Sequence, residues 1–94
     1  MQQYRTRPKI ISDVLSKARS SAKDGGANIS GFMRSCNLSH SVAVSLLSEL
    51  VGAGLLLESR DERTTKYRIS ERGFVFLEKY AQLQDFVQAY GLRL

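Results

Sequence analysis

The 94-residue sequence predicts a mainly helical α+β fold: three helices, a β-hairpin and a long C-terminal helix. Three observations carry that expectation. Apolar residues recur at the three-and-four spacing of a helix face in separate stretches. Two short runs, Leu55 to Ser59 and Lys66 to Ser70, bracket a polar segment as the strands of a hairpin do. Serine, glycine and proline punctuate the joints between these stretches. A chain of this length falls within the range of one domain and buries only about 60 to 70% of the surface it exposes when unfolded, so a second core is not expected. Its hydrophobic content of 43% and charged content of 24% are those of a folding chain rather than a disordered one. No internal repeat or low-complexity segment interrupts it.

Pro8 suits the first turn of a helix, and Ile10, Ile11, Val14, Leu15 and Ala18 follow on one face, which predicts a first helix over about residues 8–22. Asp24-Gly25-Gly26 breaks it, because glycine supplies the left-handed backbone that closes a helix. A short second helix, Gly31 to Asn37, follows with Ser30 as its cap and Phe32, Met33 and Cys36 inward. Ser39 caps a third helix whose inward positions are Ala43, Leu46, Leu47, Leu50 and Val51 and which ends at Gly52-Ala53-Gly54. Two short helices joined by a capped turn have the layout of a helix-turn-helix. The hairpin comes directly after them, with a charged turn from Arg60 to Thr65. The expected fold is therefore a winged helix-turn-helix with a β-hairpin wing, its body formed by residues 1–72. Ser70 then caps a last helix from Glu71, an acid that suits the positive end of the helix dipole.

Residues 73–94 read as a dimerisation helix. Phe76, Tyr80, Leu83, Val87, Tyr90 and Leu94 are spaced alternately four and three apart, a heptad seam that Gly73 extends backwards. Phe74, Leu77 and Ala81 lie beside the seam, placed to pack on the body. Twenty helical residues reach about 30 Å, so the distal half must project or double back. Leaving large apolar side chains in water forgoes about 1.5 to 3 kcal/mol each. A second copy in a two-fold homodimer is the simplest partner, and folding back on the same domain is the alternative. The seam suits parallel and antiparallel pairing alike.

The net charge of +5 is unevenly placed. Arg5, Arg7, Lys9, Lys17, Arg19 and Lys23 face one acid, Asp13, in the first 23 residues, and Arg60, Arg63, Lys66, Arg68 and Arg72 cluster about the hairpin. Such clustering marks a polyanion-binding surface, although a solvated basic surface has the same totals. Opposite its inward residues the third helix carries Ser41, Val44, Ser45 and Ser48, with His40 at its start. Base-specific reading of the major groove relies on Arg, Lys, Asn or Gln, none of which is on this face. Hydroxyls and a helix N-terminus suit phosphates. Double-stranded DNA is thus the expected partner, held by Arg5, Arg7, Lys9, Arg34, Arg60, Arg63, Lys66 and Arg68, with Ser39, His40, Ser41 and Ser45 in contact and little discrimination among bases. Gln2 to Arg7 reads either as a basic arm entering the minor groove or as a frayed terminus. Cys36 reads as a small core residue, and Tyr80 and Tyr90 as seam residues with hydroxyls at the rim.

One histidine and one cysteine make no metal-ligand cluster, and neither a phosphate-binding glycine loop nor a nucleophile motif is present. No catalytic activity, metal, cofactor or small-molecule substrate is expected. The lone cysteine, with no signal peptide or long apolar run, leads us to expect a cytoplasmic protein with no membrane association.

Four segments carry a resemblance that covers nearly the whole chain: Ile10-Ile11-Ser12-Asp13-Val14-Leu15, Asn37-Leu38-Ser39-His40, the helix end from Leu50 to Leu55 with its Gly54-Leu55, and Tyr67-Arg68-Ile69-Ser70-Glu71-Arg72-Gly73, the most specific. They resemble the small archaeal nucleoid-associated winged-helix DNA-binding proteins of about ten kilodaltons. Members usually have Thr, Lys and Tyr where this chain has Ser70, Arg72 and His40, and the second helix here opens with Gly31 rather than a polar helix former. The resemblance implies a dimer joined by an antiparallel coiled coil, with two heads that bridge, bend or coat DNA in the nucleoid. A sequence-specific winged-helix transcription regulator and a protein-interaction module are the other classes the sequence allows.

Overall fold

Helix α1 (Arg7–Ser20) opens where Thr6, in extended backbone, accepts a hydrogen bond from the Lys9 amide and Pro8 occupies the first turn. There the missing proline N–H deprives the helix of nothing. The computed structural model describes residues 5–94. Ser21 closes α1, its amide bonded to the Lys17 and Ala18 carbonyls, so the helix stops short of residue 22. A 3-10 turn, Ala22–Asp24, replaces the expected last turn and ends at Gly25, whose φ is +78°.

Helix α2 (Ile29–Cys36) begins two residues earlier than the pattern predicts. Its cap is Asn28, not Ser30: the Asn28 Oδ1 accepts from the Gly31 amide at 2.9 Å. The reason lies outside the local sequence. Ala27 pairs with Tyr67 as a one-residue strand, through N–H to carbonyl bonds of 3.0 and 2.9 Å in the two directions, and this fixes the extended entry that Asn28 caps. Asn37, with φ of 55°, turns the chain toward Ser39, whose hydroxyl accepts from the Val42 amide and opens α3 (His40–Gly52) as expected.

Strands β1 (Leu56–Arg60) and β2 (Thr65–Ile69) pair antiparallel, Leu56 opposite Ile69 and Arg60 opposite Thr65. Both are offset by one residue from the predicted strands because Leu55 and Ser70 are used elsewhere. The Leu55 amide closes α3 on the Leu50 carbonyl, and its own carbonyl accepts from the Ser70 amide. The Ser70 hydroxyl caps α4 (Glu71–Gln88), accepting from the Gly73 amide at 3.1 Å while donating to the Gly54 carbonyl at 2.6 Å.

The core draws on every element: Val14, Leu15 and Ala18 from α1, Phe32 and Cys36 from α2, Leu46, Leu47 and Leu50 from α3, Leu56 and Ile69 from the hairpin, and Leu77 from α4. Met33 is only half-buried. Phe32 meets the Tyr67 ring edge-on at 6.1 Å. Burial pushes the Cys36 thiol up, away from the thiolate that reactive cysteines need.

Helix α4 departs most from the predicted extent and burial pattern. A Cβ on Gly73 would lie 2.5 Å from the Leu55 carbonyl oxygen and from Ile69 Cγ1, so this glycine lets α4 cross the base of the hairpin and is not part of a seam between molecules. That crossing turns Leu77 and Tyr80 onto the body, with Phe76 and Val87 half-buried, and α4 packs on α1. Phe74 and Ala81, predicted to pack there with Leu77, are exposed instead. The helix also ends early. Gly91, with φ of +73°, and Leu92 return their amides to the Gln88 and Val87 carbonyls, a Schellman closure. Tyr90 and Leu94 therefore lie past the helix, and no continuous heptad reaches residue 94. The Tyr80 hydroxyl, expected at a rim, is buried without a hydrogen-bond partner among the described residues.

Gly26 is the backbone position least able to change. Its φ is +112°, and a Cβ there would lie 2.4 Å from the Tyr67 carbonyl oxygen. Gly26→Ala should lower the unfolding free energy in urea by more than about 1 kcal/mol; an unchanged midpoint would show that the Ala27 to Tyr67 pairing is not needed.

Candidate nucleic-acid interface

The side of α3 turned from the core exposes Ser41, Val44, Ser45 and Ser48, and His40 is exposed at its first position. Val42, which the sequence pattern does not single out, is also open to solvent. The Ser39 hydroxyl is already engaged as the cap. A shallow groove between α3 and the start of α1 is lined by Arg7, Ile10, Ser41, Val42, Ser45 and Glu49. Across it the Arg7 guanidinium donates to the Glu49 carboxylate.

The N-terminal bases predicted to hold phosphates have carboxylate partners within the chain. Arg5 pairs with Asp13 at 2.9 Å and also donates to the Asn37 carbonyl at 3.4 Å, while Lys9 reaches the other Asp13 oxygen at 2.9 Å. Arg5, Thr6 and Arg7 are the described part of the predicted arm; Gln2 to Tyr4 lie outside the described residues. Even partly exposed ion pairs of this kind are worth only about 1 kcal/mol, so a phosphate can compete for these cations. The Lys9 and Asp13 pair has a local signal, opposite charges four apart on a helix. The Arg7 and Glu49 pair joins distant parts of the chain and has none. Arg34, Arg63 and Arg68 are exposed, with no carboxylate in ion-pair range among the described residues.

The wing divides its cations. By strand register Arg60 shares a face with Thr65 and Tyr67, while Lys66 and Arg68 share the other with Leu57 and Ser59. Arg60, 3.6 Å from Glu58, borders a groove toward the start of α2, where Asn28, Ser30 and Tyr67 also lie. Lys66 donates to the Asp24 carbonyl at 2.7 Å, tying the wing to the 3-10 turn. Arg63 is at the tip. Of the predicted basic residues, Arg7 lines the α3 groove, Arg5 and Lys9 gather on Asp13, Arg60 and Arg63 border the groove between the wing and α2, and Lys66 and Arg68 share the other face of the wing.

One acid shapes the wing tip. Asp61 Oδ1 accepts from the Arg63 and Thr64 amides, each at 2.9 Å. These two bonds hold its carboxyl below the usual carboxylate range. No helix among the described residues is long and apolar enough to cross a membrane.

Three helices, the second and third joined by a tight turn, followed by a two-stranded wing, define a winged helix-turn-helix protein. The chain belongs to that family, whose winged helix-turn-helix model matches residues 4–88. Among solved structures it is similar to Sso10a-2, a DNA-binding protein from Sulfolobus solfataricus, with 19% identity and a TM-score of 0.72 over 93% of this chain and 90% of that one. It is similar to MepR, a transcription regulator of the Staphylococcus aureus multidrug efflux pump MepA, with 15% identity and a TM-score of 0.74 over 86% of this chain and 60% of that one. AF1382 from Archaeoglobus fulgidus matches with 14% identity and a TM-score of 0.69 over 87% and 90%. At these identities the likeness is one of fold. No curated protein matches the chain in sequence.

A carboxyl whose pKa falls on folding contributes stability above its unfolded value, here near 3.8, and loses it as pH drops through the folded value. The Arg63 and Thr64 amide resonances should therefore hold their positions from about pH 7 to 5 and move only below about pH 4, and Asp61→Ala should move them at every pH. Movement near pH 6 in the unaltered protein would contradict this account of the turn.

Proposed function

We propose that this protein is a homodimeric double-stranded DNA-binding protein of weak sequence preference that organises the chromosome, with α3 in the major groove and the wing beside the backbone. The carrying observation is the exposed side of α3, where serine hydroxyls and valines stand in place of side chains able to make paired hydrogen bonds to base edges. Phosphates supply the affinity. Arg34, Arg63 and Arg68 offer guanidinium groups with no carboxylate partner among the described residues, and Arg60 and Lys66 add charge along the wing. Arg5, Arg7 and Lys9 exchange Asp13 and Glu49 for phosphate. Ser39, His40, Ser41 and Ser45 stand in the cap and first two turns of α3, the end that would enter the major groove. The fold shared with Sso10a-2, a DNA-binding protein of similar extent, supports this reading.

The dimer contact proposed here differs in detail from the heptad seam. Tyr80 is buried and Phe76 and Val87 are half-buried within the chain, which leaves Leu83 and Phe86 exposed on α4, with Val75 on the same helix and Tyr90 and Leu92 just past its end. Phe86 is 62% exposed and meets the Tyr90 ring edge-on at 5.4 Å, a paired aromatic surface turned to solvent. A two-fold partner covering this stripe would bury side chains worth about 1.5 to 3 kcal/mol each. The second reading is a sequence-specific regulator, favoured by the fold shared with MepR, a transcription regulator; this chain spans 60% of MepR.

Gel shifts on several unrelated duplexes at two salt concentrations should give similar affinities, with a log–log salt slope near −7 if a dimer neutralises about eight phosphates. Preference for one site by about a thousandfold would favour the regulator, and a slope shallower than about −2 would count against DNA binding by phosphate contact. Changing both Leu83 and Phe86 to glutamate should convert the dimer to monomers in sedimentation; an unaltered mass would remove this stripe as the interface.

A further inference from the structure

We infer that α3 reads the C5-methyl group of thymine through Val42 and Val44, so that the weak preference of the protein is for methyl-bearing base pairs and not for a hydrogen-bonded sequence. This rests on the proposed placement of α3 in the major groove. Val42 is 48% and Val44 44% exposed, whereas Ala43, Leu46, Leu47 and Leu50 of the same helix are at most 5% exposed. The two valines are therefore not core residues. At 100° per residue they flank the row of Ser41, Ser45 and Ser48, one on each side, within the first two turns of α3. Propensity does not call for them: β-branched residues lower helix propensity, and the solvent side of a helix ordinarily carries polar groups; only Val42 has apolar neighbours, Ile10 and Leu46, lining the same groove.

Recognition helices reach base edges through their N-terminal residues, which is where both valines stand. Of the four bases only thymine presents an apolar group in the major groove. Val42 lines the groove with Ile10, Leu46, Arg7 and Glu49. Once Arg7 exchanges Glu49 for a phosphate, an apolar lining beside an arginine matches a methyl group with a backbone phosphate near it. Serines between the valines accept or donate to any base edge, so they add contact without choosing among bases.

Each methyl contact should change affinity about fourfold, the factor that corresponds to the ~0.8 kcal/mol of burying one CH2-sized group. The test uses the full chain and two duplexes of one A·T-rich sequence at one salt concentration, the second with deoxyuridine for every thymidine. Base pairing is the same in both, and only the methyl groups differ. The unaltered protein should bind the uracil duplex about four- to fifteenfold more weakly for each α3 engaged. V42A/V44A, which favours helix and touches no core residue, should bind both duplexes equally. Equal binding of the two duplexes by the unaltered protein overturns the inference while leaving DNA binding intact. A preference that survives in V42A/V44A also overturns it, assigning the difference to DNA shape. Failure to bind either duplex in dilute salt overturns the DNA-binding proposal itself.

Discussion

Everything in this fold is referred to one junction, where the end of α3, the two ends of the hairpin and the start of α4 share a few polar groups. The Ser70 hydroxyl donates to Gly54 and accepts from Gly73, and Leu55 gives its amide to Leu50 and its carbonyl to Ser70. Satisfying these buried-edge groups leaves no slack in register. The wing consequently leaves α3 at a fixed angle, and α4 crosses the hairpin base so closely that only a glycine fits at residue 73. A second tie, Ala27 to Tyr67, fixes the entry to α2 from the other edge of β2. Together they place the helix-turn-helix and the wing relative to each other before any ligand arrives.

How legible this was in the sequence depended on distance along the chain. Ser39 and Ser70 read correctly as caps because a cap is a local event, settled by a hydroxyl and an amide three residues on. Asn28 did not, because its role is imposed by Tyr67 from far away. The same contrast runs through the proposed site. Exposure of Ser41, Ser45 and Ser48 follows from the helical period of the residues that bury opposite them, whereas the pairing of Arg7 with Glu49 has no counterpart in local pattern. Helix α4 carries two apolar stripes that overlap on the wheel. Spacing alone merges them into one seam, and the small volume of Gly73 decides which stripe faces inward.

The ion pairs moderate the basic surface without removing it. Asp13 is shared by Arg5 and Lys9, and Glu49 holds Arg7, so part of the positive charge is internally screened while no competing anion is near. Partly exposed pairs of this kind are weak enough to be exchanged.

The Schellman closure at Gly91 limits α4 to Glu71–Gln88, a rod of 18 residues and about 27 Å. If copies of the chain associate through this rod, the extent of association follows mass action. Were two-headed attachment the active state, occupancy of the chromosome would climb with the square of the protein's concentration. Expression level would then set compaction steeply, with no effector molecule required.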